Sequence, residues 1–123
     1  MVSKAEQYRP IVERFEEVAR ANVETLAHAA DLCRIVGVSR RTLARAFRSI
    51  HGTTPVRYLH TLRLTEARRA LSSSSAGTTT VTEVATRFGF RELGRFAVEY
   101  REQFGESPSD TLRRSLTFSK LSS

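Results

Sequence analysis

The chain has one cysteine, Cys33, so it can close no disulfide within itself. A reducing cytoplasm is the expected setting. No apolar run approaches the roughly 18 residues of a membrane span. No charged, apolar and small-residue leader opens the chain, so no secretion signal and no membrane partner are expected. No period-2 run of β-branched residues occurs, and that leaves little room for a sheet. Histidines are few, and His28, His51 and His60 have no metal-ligand spacing with one another or with Cys33. No nucleophile–base set, phosphate-cradling glycine loop or carboxylate pair stands out. The expectation is therefore a non-enzyme with no catalytic residue, no cofactor and no metal.

What is present is arginine, and it is unevenly placed. The 123 residues carry a formal net charge of +7. Residues 1–33 are net acidic, residues 70–123 nearly balanced, and the basic charge is concentrated between 34 and 69, where Glu66 is the one acid. Arginine presents a planar fork that suits phosphates and guanine edges. A polyanion partner is the expectation, against the alternative of a solvated arginine-rich face. Glu13, Glu16 and Glu17 read as a solvated face.

Apolar spacing is helical nearly throughout, so the fold is expected to be all-α. Pro10 suits the first turn of a helix through IVERFEEVARA, with Ile11, Phe15, Val18 and Ala19 inward and Asn22 as the break. ETLAHAADLCRIV follows with a poorly marked start. Ser39 is a good N-cap for RRTLARAFRSI, in which Leu43, Ala46, Phe47 and Ile50 form a core stripe. Arg41, Arg45 and Arg48 lie on the opposite side. Gly52 ends that helix, Thr54 caps the next, and Pro55 opens the longest, about 55–71. Its apolar residues surround much of the cylinder, as in a strut packed on more than one side. SSSSAGTTT (72–80) reads as a polar loop. Thr80-x-x-Glu83 resembles a capping box ahead of VTEVATRF. ELGRFAVEYREQF then buries Phe96, Tyr100 and Phe104. Gly105 stops it, and Ser107-Pro108 opens a short final helix, DTLRRSL. Residues 1–9 and 117–123 are expected as flexible ends.

The chain repeats itself. FRSIHGTTPVRYL (47–59) and YREQFGESPSDTL (100–112) share aromatic-Arg-x-x-x-Gly-x-[Ser/Thr]-Pro-x-x-x-Leu, fifty-three residues apart. Upstream, AADLCRIVGV aligns with TEVATRFGFR by type, with Cys33 against Ala85 and Gly37 against Gly89. The second copy has one extra turn residue. Each copy is helix, glycine turn, helix, glycine, [Ser/Thr]-Pro, helix. Two helices joined by a short glycine turn, with a small residue at the crossing, describe a helix-turn-helix or a plain helical hairpin. The outward arginines of the first copy favour the helix-turn-helix. Cys33 reads as buried packing at the crossing.

GVSRRTLARAF, GTTPVRYL, LRLTEARRAL and VTEVATRFGF followed by FGESPSDTL occur in that order. Over residues 10–116 they resemble the DNA-binding domain of AraC/XylS-type bacterial transcription regulators. GFRELGRFAVEYREQFGESPSDTL further resembles the subset with LGRF in the second unit. The resemblance implies about seven helices: a first unit near 26–52, a connecting helix near 55–71 and a second unit near 80–105. It implies two recognition helices in successive major-groove segments of double-stranded DNA, about one turn (~34 Å) apart, reading an asymmetric site as a monomer. It also implies transcription activation through RNA polymerase, and a nucleoid-associated protein of the cytoplasm. Family members usually carry an effector-binding or dimerising domain before this module, so the expectation is either a free-standing regulator or an excised C-terminal fragment.

Arg40, Arg41, Thr42 and Arg45 are the first-unit candidates. Arg41 and Arg45 are placed at base edges, against the alternative of phosphate contact; Arg48 and Arg57 are placed at phosphates. Arg63 and Arg68 belong to the strut, where internal pairing, for instance with Glu66 or Asp31, is expected over DNA contact. In the second unit the resemblance points to Arg91, Leu93, Gly94, Arg95 and Val98. Leu93, Gly94 and Val98 offer no hydrogen bonds, and Glu92 and Glu99 bring negative charge. Leu93 or Val98 could touch thymine methyls while Arg91 and Arg95 hold phosphates. The expected division is unequal: the first unit dominates affinity and the second tunes it. A non-specific architectural DNA binder and a helical protein adaptor are the competing readings.

Overall fold

The computed structural model describes the backbone of residues 3–24, 29–73 and 79–122, with side chains except those of 29–30 and 118–122. Among the described residues seven helices follow one another: α1 (Lys4–Ala21), α2 (Ala29–Val36), α3 (Arg40–His51), α4 (Pro55–Ser72), α5 (Val81–Arg87), α6 (Leu93–Phe104) and α7 (Pro108–Ser122). No strand occurs among the described residues. The chain divides into two compact units, Met1–Leu62 and Arg63–Ser123, and the division falls inside α4.

The first unit is built around Phe15 of α1 and Phe47 of α3, edge to face with centroids 4.9 Å apart. Tyr58 of α4 joins them at 5.4 Å from Phe47. Val12, Val18, Ala19, Leu32, Cys33, Leu43, Ala46 and Leu59 complete the buried cluster. Cys33 is packed there as expected, and burial pushes its thiol up from the usual range while nearby Arg40 pulls it down. The helix expected from Pro10 begins instead at Lys4. Ser3 and Glu6 form a reciprocal capping box at its start, and Tyr8 packs on the core. Pro10 sits inside α1 at an exposed position. There the carbonyl that lacks its partner can bond to water.

In the second unit the aromatics Phe90, Phe96, Tyr100 and Phe104 touch in series, at 4.6, 5.7 and 4.7 Å between centroids. Leu64, Ala67, Leu71, Val84, Ala85 and Phe88 are buried with them. Tyr100 Oη donates to Thr111 Oγ1 (2.7 Å), which donates to Glu106 Oε1 (2.8 Å). Arg114 pairs with the same carboxylate. These bonds fasten the Gly-x-Ser-Pro closure to α6. The final helix outruns the expected DTLRRSL and continues to Ser122. Ser107 and Asp110 cap its start reciprocally (3.1 and 3.2 Å), and Ser115 Oγ donates to Ser72 O at the end of α4 (2.9 Å). Both ends of the chain are thus more helical than expected.

The repeat is a repeat of structure. Gly37 and Gly89 both take positive φ, +81° and +86°. Each is followed by a residue whose N–H reaches five back, Val38 to Cys33 O (3.2 Å) and Phe90 to Ala85 O (2.9 Å). Both α3 and α6 have 12 residues and end on a left-handed glycine, Gly52 and Gly105. The extra turn residue of the second copy is absorbed before the N-cap, which is Ser39 in one and Glu92 in the other.

The polar stretch at 72–80 falls largely outside the described residues, as do 25–28. Glu66 pairs with Arg69 (3.4 Å) and Asp31 with Arg34. Arg68 lies over the Phe104 ring at 4.8 Å. The pairing expected of Arg68 with Glu66 is therefore replaced by a cation–π contact, because Glu66 has a nearer arginine one turn along its own helix.

Candidate nucleic-acid interface

α3 owes its orientation to its caps and its inner stripe. Ser39 Oγ accepts the Thr42 N–H (3.1 Å). Leu43, Ala46 and Phe47 are sunk in the core. One helical face thus fixed, the other is fixed with it, and Arg40, Arg41, Arg45 and Arg48 are all exposed. Arg41, Arg45 and Arg48 fall at i, i+4 and i+7, a single line along the helix.

Their surroundings distinguish these guanidiniums from many others in the chain. Arg14, Arg20, Arg34, Arg69, Arg113 and Arg114 each sit against a carboxylate. Among the described residues, no ion pair is made by Arg40, Arg41, Arg45, Arg48 or Arg57. Like charges at i, i+4 destabilise an isolated helix by a few tenths of a kcal/mol per pair. The stripe makes no ion pair among the described residues, and it leaves a row of donors open to an acceptor from outside. Arg57 stands in the first turn of α4, where Thr54 Oγ1 accepts its N–H (3.1 Å); its side chain is exposed. Thr42 is different. Its hydroxyl accepts from Ser39 Oγ (3.0 Å) and is half-buried, so it belongs to the cap as much as to the surface.

The second unit places its candidates on the equivalent helix with different chemistry. Leu93, Gly94, Val98 and Arg101 occupy the positions of Arg40, Arg41, Arg45 and Arg48. Leu93 and Val98 are 42% and 57% exposed. Arg95 is exposed, but its Nε donates to Glu99 Oε1 at 3.0 Å. Arg91 lies exposed in the turn before α6. Glu92 is the N-cap and makes no side-chain cap bond. Arg101 was not among the candidates. It is exposed in the register of Arg48, and the repeat itself was the signal that could have found it.

No described helix is long and apolar enough to cross a membrane. Among the described residues no group of three or more His, Cys, Asp or Glu could hold a metal ion.

Comparison with known proteins agrees with this arrangement. The profile of a helix-turn-helix domain family matches residues 32–114, which include both units' turn and second helix. The XylDLEGF operon transcriptional activator of Pseudomonas putida is 38% identical over 105 residues, covering 85% of this chain. The chain spans only 33% of that activator's length. The structure of a probable AraC family transcriptional regulator from Rhodopseudomonas palustris superposes with a TM-score of 0.77 at 37% identity, covering 86% of this chain and 97% of that one. The DNA-binding domain of AdpA, a global transcriptional factor solved in complex with a target DNA, superposes at 0.72 with 32% identity, covering 85% and 91%. The chain belongs to the AraC/XylS-type helix-turn-helix family.

Proposed function

We propose that the protein binds specific double-stranded DNA through α3 and α6 and regulates transcription, as an activator or as the DNA-binding part of one. The observation that carries this reading is the line of Arg41, Arg45 and Arg48, exposed and without an acidic partner among the described residues, on the second helix of a helix-turn-helix unit. A recognition helix lays its N-terminal residues against base edges in the major groove. Arg41 and Arg45, in the first half of α3, are the base readers; a bidentate arginine–guanine contact contributes about 1–3 kcal/mol of discrimination. Arg40, Arg48 and Arg57 hold phosphates, which set position and not sequence. In the second unit Arg91 and Arg95 hold phosphates beside Leu93, Gly94 and Val98. The first unit dominates affinity and the second tunes it.

Support comes from the relatives. One named activator matches over most of this chain, and one superposable domain was solved on its target DNA. Two tandem units replace the symmetry of a dimer, so the protein acts as a monomer, in the cytoplasm and on the nucleoid, with RNA polymerase as the partner of activation. Nothing in this reading requires a catalytic step.

The test is selection of duplexes from a random library, followed by titration with the wild type and with Arg41→Ala and Arg45→Ala. Loss of preference at defined base pairs in those variants supports base reading. Binding that falls equally on every sequence makes both residues phosphate contacts and favours an architectural protein. Absence of salt-sensitive duplex binding leaves the adaptor reading.

A further inference from the structure

The two second helices can be compared position by position, because α3 and α6 have the same length, the same glycine end and the same inward stripe. At the outward positions three arginines of α3 are replaced. Leu93 stands for Arg40, Gly94 for Arg41 and Val98 for Arg45; only Arg101 keeps the charge of Arg48. Two large apolar side chains are thus turned out of a unit that buries Phe96 and Tyr100 almost completely. Arg95, in the first turn, pairs with Glu99 (3.0 Å) and is left to the phosphates, not to base edges. Glu92 and Glu102 are exposed and would repel a phosphate.

Gly94 adds an independent observation. Its φ is not positive, so the backbone does not require glycine. A Cβ built there would meet nothing within 4 Å, so packing does not require it either. Glycine in a helix still weakens it relative to alanine. Neither internal cause accounts for the residue, and the bare backbone there is open to close approach from outside the chain.

We propose that α6 reads its segment of the site by apolar contact. Leu93 and Val98 seat on thymine C5-methyl groups, and the bare backbone at Gly94 lets the groove edge approach more closely than a side chain would allow. The inference rests on the DNA-binding reading above and names the chemistry of the second half of the site. The major groove carries one apolar feature among its hydrogen-bonding edges, the thymine methyl, and it suits an aliphatic reader. The occupant of the face is DNA because α6 repeats the helix that carries the arginine line. A related domain solved on DNA also superposes on most of this chain.

The experiment uses the full chain and the duplex that wins selection. Thymines are replaced by deoxyuridine, which lacks only the methyl, first in one block of the site and then in the other. Uridine in the block read by α6 is expected to weaken wild-type binding about fourfold per buried methyl, and uridine in the α3 block to change it little. A Leu93→Ala, Val98→Ala double variant is expected to lose the difference between thymine and uridine while keeping its preferences in the α3 block. Gly94→Ala is expected to raise Tm by about 2 °C and yet weaken binding. Equal affinity of the wild type for thymine and uridine duplexes overturns the proposal. So does a Gly94→Ala variant that is more stable and binds as well. Failure to bind any duplex overturns the DNA reading itself, a separate outcome that the duplex selection already reveals.

Discussion

A side chain that costs the fold something and returns nothing internally is the clearest functional signal in this protein. Arg41, Arg45 and Arg48 are exposed like-charged neighbours, and none has a carboxylate partner among the described residues. Alanine at Arg41 or Arg45 is expected to leave Tm unchanged or slightly higher. Affinity for the selected duplex should fall by about tenfold or more, in line with 1–3 kcal/mol per bidentate contact. Fluorescence anisotropy and thermal melting on the same samples check both halves. Arg41→Lys keeps the charge but loses the fork, so it should retain non-specific binding and lose discrimination. Glu106 makes the opposite kind of statement. The Thr111 hydroxyl, and after it Arg114, hold its carboxyl below the usual glutamate range. A depressed native pKa means stability that is present above the ordinary value and lost as pH falls through the native one. Glu106→Gln should therefore be less stable than wild type near neutrality, and the gap should close in acid. Circular-dichroism melts across that range would show it, and a pH-independent gap would remove the carboxylate from the account.

At the scale of the element, the caps decide where each helix points. Ser39→Ala removes the acceptor of the Thr42 N–H and is expected to cost about 1 kcal/mol. Amide exchange should quicken first at the start of α3. Phe47→Ala would open a cavity between α1, α3 and α4 and cost about 3–5 kcal/mol, read as lost Tm and lost binding together. The legibility of these elements in the sequence follows the same physics. Ser39, Thr54, Thr80, Gly52 and Gly105 could be read because a cap is a local device of three or four residues. The start of α1 could not be read from Pro10, because proline at a first turn and proline inside an exposed helix look alike in one dimension. The Ser3–Glu6 capping box settles the matter. The far end of α7 was not legible because the chain past Leu116 carries neither a glycine nor a proline to mark where the helix stops. The outward arginines followed from periodicity alone. Arg101 was hidden among balanced charges and shows itself only through the register of the repeat. Arg68 was expected to pair with an acid, and its contact with Phe104 depends on tertiary packing that periodicity does not carry.

At the scale of the whole molecule, two copies of one unit have been set to different chemistry. The first copy carries the basic charge, and the second is nearly neutral and apolar at the matching positions. Binding should accordingly depend on salt mainly through the first unit. Arg48→Ala and Arg57→Ala should each reduce the slope of log K against log salt by about one, uniformly across sequences. The central claim is a specific reader with unequal halves, and selection from a random duplex library tests it most directly when the winning site is titrated at several salt concentrations. The account predicts an asymmetric motif with two blocks about one helical turn apart: a strongly conserved guanine-bearing block that depends on Arg41 and Arg45, and a weaker thymine-bearing block that depends on Leu93 and Val98. Binding without enrichment of any sequence, collapsing uniformly as salt rises, would contradict it.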